Sequence, residues 1–194
     1  MRNTVLSLAA AVLLAGASAG QVQTWNIDPN HTAAQFSVRH LGISTVRGAF
    51  TKVSGVVQYD PSNPTKTTIE ATIDAASVDT RVEMRDNDLR SPNFFDVAKY
   101  PTLTFKSKNV EATGAGKLKV TGDLTIHGVT KEVVLEVEGP SAPASDQRGN
   151  IHMGASASTK INRKDFGVNG GAGMVGDDVP ITIDLELVRA AAAK

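Results

Sequence analysis

Apolar and polar residues alternate with a period of two over most of this chain, which is the pattern of strands with one buried face. Over 32–41, Phe36, Val38 and His40 share one phase and Gln35, Ser37 and Arg39 the other. Over 67–76, Ile69, Ala71, Ile73 and Ala75 alternate with Glu70, Thr72 and Asp74. Leu103 and Phe105 alternate with Thr104 and Lys106. In 117–127, Leu118, Val120, Leu124 and Ile126 oppose Lys117, Lys119, Thr121, Asp123 and Thr125. Val133, Leu135 and Val137 repeat the pattern against Glu132, Glu136 and Glu138, and Ile181, Ile183, Leu185 and Leu187 close the chain against Thr182, Asp184 and Glu186.

Turn chemistry separates these runs at Asp60–Pro64, at His127-Gly128 and between Gly139 and Gly149. The run 44–60 is long for one strand, and Gly48 and Gly55 inside it predict bulges or bends. One stretch breaks the period. Thr80-Arg81-Val82-Glu83 matches a capping box, predicting a short helix near 81–91 that Ser91-Pro92 stops. Many antiparallel strands with one apolar face each, and no βαβ rhythm, predict an all-β fold whose sheet curls and closes. The expectation is a single antiparallel barrel of roughly eight strands, the size that holds side chains or one small ligand. A two-sheet sandwich has the same periodicity and stays open as an alternative.

The N-terminus reads differently. Arg2, the apolar stretch from Val5 to Ala15 and the small residues Ala17-Ser18-Ala19 have the order of a secretory signal peptide, with cleavage expected after Ala19. That assigns 1–19 to a signal and 20–194 to the barrel domain. There is no cysteine, so neither a disulfide nor a thioether-linked lipid can form, and the exported chain must stand on its core. No later segment is apolar enough to be a transmembrane span. The whole chain balances 20 basic against 20 acidic residues. Scattered charge of that kind lacks the basic stripe of a nucleic-acid binder.

Candidate chemistry is sparse. His31, His40, His127 and His152 lie far apart in sequence, without the close ligand spacing of a zinc site, so no metal is expected. His40 is in phase with Phe36 and Val38 and can point inward. His31 can pair with Asp28, and His127 precedes Gly128 in a turn. Gly171–Gly176 formally fits a dinucleotide fingerprint, but the short remainder of the chain has no room for a βαβ unit and Pro180 opposes a helix. Asn30-His31-Thr32 fits the short glycosylation acceptor pattern only. No Ser–His–Asp set or nucleophile elbow stands out, so no catalytic residue and no cofactor is expected.

Several motifs, in order, resemble a known family. Asp28-Pro29-Asn30-His31, then Phe36 to Ser44 and Val46-Arg47-Gly48-Ala49-Phe50, resemble the opening of the YceI-like family. Next come Arg85 to Ser91, Phe94-Phe95-Asp96-Val97, Tyr100 to Phe105, Gly122 to Lys131, and Asn162-Arg163-Lys164-Asp165-Phe166-Gly167. The resemblance covers about Trp25 to Val188. It implies a lipocalin-like barrel in the periplasm that binds, carries or sequesters a polyisoprenoid such as an isoprenoid quinone or prenyl compound.

Joined to the strand phases, it gives a candidate ligand wall of Phe36, Val38, His40, Val46, Phe50, Ala71, Leu103, Phe105, Leu124 and Ile126. Phe94 and Phe95 would gate it beside the helix, with Phe166 from the last motif. Arg85, Asp86 and Arg90, with Arg163 and Asp165, are candidates for a polar head group; ion pairs that pin the helix to the rim explain them equally well. Two other functions stay open: a barrel isomerase or hydrolase using His40, which needs a polar, acid-bearing cavity, and an interaction module, which needs a filled core and an exposed apolar patch. Homodimerisation is also left open.

Overall fold

A computed structural model describes residues 21–189; the expected signal segment and the alanine-rich tail lie outside the described residues. In chain order come β1 (Gln23–Ile27), β2 (Ala33–His40), β3 (Ser44–Phe50), β4 (Val53–Tyr59), β5 (Thr68–Asp74) and β6 (Val78–Asp79). Helix α1 (Glu83–Arg90) is next, and then β7 (Thr102–Gly114), β8 (Lys117–Ile126), β9 (Val129–Glu138), β10 (Ala144–Ser145), β11 (Ile151–Asn162) and β12 (Asp178–Arg189). All pairings are antiparallel.

The register shows how these strands make an eight-stranded barrel. One edge of β12 pairs with β1 at Ile27↔Leu187 and with β2 from Ala33↔Asp184 to Phe36↔Ile181. β1 and β2 are therefore two halves of one strand, interrupted at 28–32. β4 pairs with β1 and β3 with β2, so they too are one strand, bent at Thr51-Lys52. β5 and β6 repeat this beside β4 and β3, with a 3₁₀ turn at Ala75–Ser77 as the bend. These three bent strands continue through β7, β8, β9, β11 and β12, and the pairing of β11 with the other edge of β12 closes the ring.

The second and third bends are hydrogen-bonded to each other. The Thr51 amide donates to the Ser77 carbonyl, the Lys52 amide to Ser77 Oγ, and the Asp74 amide to the Lys52 carbonyl. The long run 44–60 does bend, though between Gly48 and Gly55 rather than at either. Both glycines serve close approach instead: a Cβ on Gly48 would stand 2.6 Å from the Phe36 ring.

Closure is uneven. β9 meets β11 only from Glu136↔Ser158 to Glu138↔Ser156, and above that the two strands part. A 3₁₀ turn at Arg163–Phe166 fills the gap and carries the Phe166 ring, which is 2 % exposed, into the interior. That end of the barrel also holds the turn 41–43, the segment 80–101 with α1, the turn at His127-Gly128 and the glycine loop 167–177. Towards the other end Trp25 is buried beneath Arg189, and Val110, Leu118, Val120 and Leu135 form a second apolar cluster.

The helix forms where the sequence predicts it, but by a different device. Its N-cap is Val82, without a side-chain cap hydrogen bond. Thr80 is drawn off to end β6: its amide and hydroxyl both donate to the buried Asp86 carboxylate. Arg81 then turns the chain with φ 66°.

Candidate functional site

Inward positions of the strands enclose a cavity of about 220 Å³ whose accessible wall is apolar. Of the sequence-predicted wall, Phe36, Val38, Phe50, Ala71, Phe94, Phe95, Leu103, Phe105, Leu124, Ile126 and Phe166 all line it. Alternation carries most of them inward. Ala71 in β5 sits between Gly55 of β4, which has no side chain, and Phe105 of β7, whose ring lies over Gly122 of β8. Phe36, Phe50 and Phe95 stack in series, with ring centroids 5.8 and 5.4 Å apart, and form an aromatic rim. Phe94 fits because Gly170 has no side chain there.

His40 and Val46 fall outside the wall. The phases of β2 and β3 put them on the right side of the sheet, but His40 lies beyond the cavity, close to the turn at 41–43. His40 pairs with Ser44 and bridges to Val175; Val46 faces Val38 across the hairpin and is half-buried.

The head-group candidates are occupied elsewhere. Arg85 donates to the Thr80 hydroxyl at 2.7 Å and carbonyl at 2.9 Å. Arg90 donates to the carbonyls of Ala76 and Val78 and to Asn87 Oδ1. Asp86 accepts from Thr80 as described. These three residues pin α1 to β6, and none of them reaches the cavity wall; from α1, Leu89 does.

Arg163 is the most informative departure from expectation. It is 6 % exposed, and its guanidinium touches the wall from behind. Nε donates to the Gly176 carbonyl, Nη1 to those of Val168 and Gly170, and Nη2 to the Val175 carbonyl and Asp177 Oδ1. All five guanidinium donors are thus directed at one loop. The side chain that could have met a head group instead holds the glycine loop in a fixed ring, and so places Val168 and Val175 on the wall.

β11 escapes sequence reasoning. Its inward residues are Met153, Ala155, Ala157, Thr159 and Ile161, interleaved with Gly154, Ser156, Ser158 and Lys160. Alanine against serine gives little hydropathy contrast, so the period-two signal is faint although it is present. Ala155 and Ala157, with Ala34 and Ala71, are the small wall residues that leave the space open.

An apolar void of this size is costly. At roughly 24 cal/mol per Å³, an empty 220 Å³ would cost about 5 kcal/mol, as much as the whole stability of some domains. Larger side chains at those four alanines would remove the cost. The wall is therefore shaped for an apolar occupant, and it presents no carboxylate or imidazole to one.

Known proteins share the sequence pattern and the fold. The YceI-like domain family matches residues 25–187, and the chain belongs to that family. A UPF0312 protein of Photorhabdus laumondii is 37% identical over 191 residues, covering 97% of this chain and 98% of its own. Protein YceI of Escherichia coli O157:H7 is 36% identical over 191 residues, covering 97% and 99%. Among solved structures, a Campylobacter jejuni YceI protein superimposes with a TM-score of 0.69 at 36% identity over 78% of this chain and 90% of its own. Burkholderia cenocepacia BcnA gives a TM-score of 0.72 at 27% identity over 82% and 98%. A polyisoprenoid binding domain from Saccharophagus degradans shares the fold, with a TM-score of 0.62 at 19% identity over 86% and 98%.

Proposed function

We propose that this protein binds and carries, or sequesters, a polyisoprenoid lipid in the periplasm, and that it performs no chemistry on it. The observation that carries the reading is the apolar cavity kept open by alanines. A prenyl chain suits such a wall because it offers branched hydrocarbon and no hydrogen-bonding groups along its length. Burial contributes about 0.8 kcal/mol per methylene relative to water. An enzyme would need an acid or base within reach of its substrate, and the wall supplies none. A filled-core interaction module is disfavoured by the cavity itself. The fold shared with a polyisoprenoid binding domain supports the ligand class.

The periplasmic assignment is supported by the signal-like order of residues 1–19, and among the described residues no helix is long and apolar enough to cross a membrane.

The ligand passes at the end bearing α1 and the glycine loop. Exposed large apolar side chains gather there on three neighbouring segments: Leu41 and Ile43 at the hairpin tip, Val82 and Met84 at the start of the helix, and Met174 in the loop, whose carbonyl accepts from the Leu41 amide at 2.7 Å.

A melting series with isoprenols of increasing length tests the proposal. Stabilisation should rise with each added prenyl unit until the chain fills the cavity, and should exceed that given by straight-chain alcohols of equal carbon number. Equal shifts for both series, or none, would count against it.

A further inference from the structure

On the outer surface, at the bend between β1 and β2, the fold gathers two histidines and three carboxylates from three separate segments of the chain, 28–31, 146–152 and 186. His31 Nδ1 lies 2.8 Å from Asp28 Oδ2 and 3.9 Å from Glu186 Oε1. These three ligand atoms are all within 4.8 Å of one another. Behind them, His152 Nδ1 stands 2.8 Å from Glu186 Oε1 and its Nε2 3.3 Å from Asp146 Oδ2.

We propose that Asp28, His31 and Glu186 form an exchangeable site for a divalent transition metal of the zinc class, with solvent completing the coordination.

The donor set is right. One imidazole nitrogen and two carboxylate oxygens suit a borderline cation such as Zn²⁺, with bonds of about 2.0–2.2 Å that place tetrahedral ligands about 3.3 Å apart. The His31 atom stands 2.8 Å from that of Asp28 and 3.9 Å from that of Glu186, on either side of that spacing, and the tip of His31 is free to adjust, its side chain being 63% exposed.

The atoms are also held in advance. The Asp28 amide donates to the Glu186 carbonyl, and the Glu186 amide donates to Thr32 Oγ1, which locks the bend against β12. The Asn30 amide occupies Asp28 Oδ1 and leaves Oδ2 turned to His31.

Supporting contacts resemble those that orient metal ligands. His152 fixes Glu186, Asp146 fixes His152, and Asn150 and the Arg148 amide fix Asp146.

Finally, the charge is unbalanced. Among the described residues no lysine or arginine pairs with Asp28, Asp146 or Glu186; their basic partners are the two imidazoles alone. A divalent cation would supply the positive charge that lysine and arginine do not.

The site is separate from the lipid cavity. Bound metal would tie the bend to β12 and stabilise the closed ring in proportion to the logarithm of metal concentration.

The test uses protein prepared without a polyhistidine tag, stripped with chelator and titrated calorimetrically with Zn²⁺ at neutral to mildly alkaline pH. Wild type should take up one saturable equivalent per chain. His31→Gln, an exposed change that leaves the fold intact by circular dichroism, should lose that binding, and Glu186→Gln should do the same. His40→Gln should bind as wild type does. Equal binding by wild type and His31→Gln, or no saturable binding by folded wild type, would overturn the proposal.

Discussion

Ala71→Phe is expected to empty the barrel of ligand while leaving it folded. Ala71 lies on the cavity wall, flanked across the sheet by Gly55 and Phe105. A benzyl group there extends into open space instead of into packed neighbours. In a filled core the same insertion would force side chains off their rotamers and cost about 1–3 kcal/mol. In the cavity it recovers contacts that the void lacks. The melting temperature of delipidated Ala71→Phe should therefore match or exceed that of delipidated wild type, and its binding of isoprenols should fall below detection. Strong destabilisation together with retained binding would show that the space is not where the structure places it.

Arg163→Met is expected to be the most damaging single change in the chain. The substitution keeps much of the apolar stem and removes five donors. It leaves the carbonyls of Val168, Gly170, Val175 and Gly176 without their partner inside a tight loop, and Asp177 loses one of its two cations. Removing one side of a buried charged network costs about 3–5 kcal/mol. Arg163→Lys should rescue little, because an ammonium offers a point charge where a planar fork is needed. Denaturant unfolding measures the loss, and limited proteolysis locates it, with new cleavage expected between 167 and 177. Wild-type stability in Arg163→Met would refute the clamp. Since Val168 and Val175 belong to the wall, isoprenol binding should weaken with it.

How much of this can be read from the chain depends on contrast between neighbouring side chains. β2, β5, β8 and β12 are plain because Phe, Ile and Leu alternate there with charged or hydroxyl residues, but periodicity does not separate a barrel from a sandwich, and closure appears only in the pairing of β11 with β12. β11 is hidden because a strand that makes room for a ligand uses alanine, and alanine beside serine hardly differs in hydropathy. The property that makes Ala155 and Ala157 useful also removes their signal. β1 carries too few residues to show a period, and its continuity with β2 appears only in the register against β12.

Eleven of the thirteen residues proposed for the wall reach it. His40 does not, since phase tells the side of a sheet but not the height along the barrel, and neither does Val46, although it is level with Val38 across the hairpin. That Arg85, Asp86 and Arg90 pin the helix is one of the two roles the sequence allows, but their particular partners, and those of Arg163, are not legible, being mostly backbone carbonyls and amides that every residue carries. The pairing of His31 with Asp28 is local and legible. The approach of His152 and Glu186 to that pair is not, because it is set by strand pairing between distant segments.

Mass spectrometry of organic extracts, from protein purified gently out of its native envelope, shows whether the cavity holds a polyisoprenoid. Wild type should yield a prenyl lipid in near-stoichiometric amount, and Ala71→Phe purified in parallel should yield none. Wild-type extracts free of any prenyl compound, from folded protein at full melting temperature, would refute the proposed ligand.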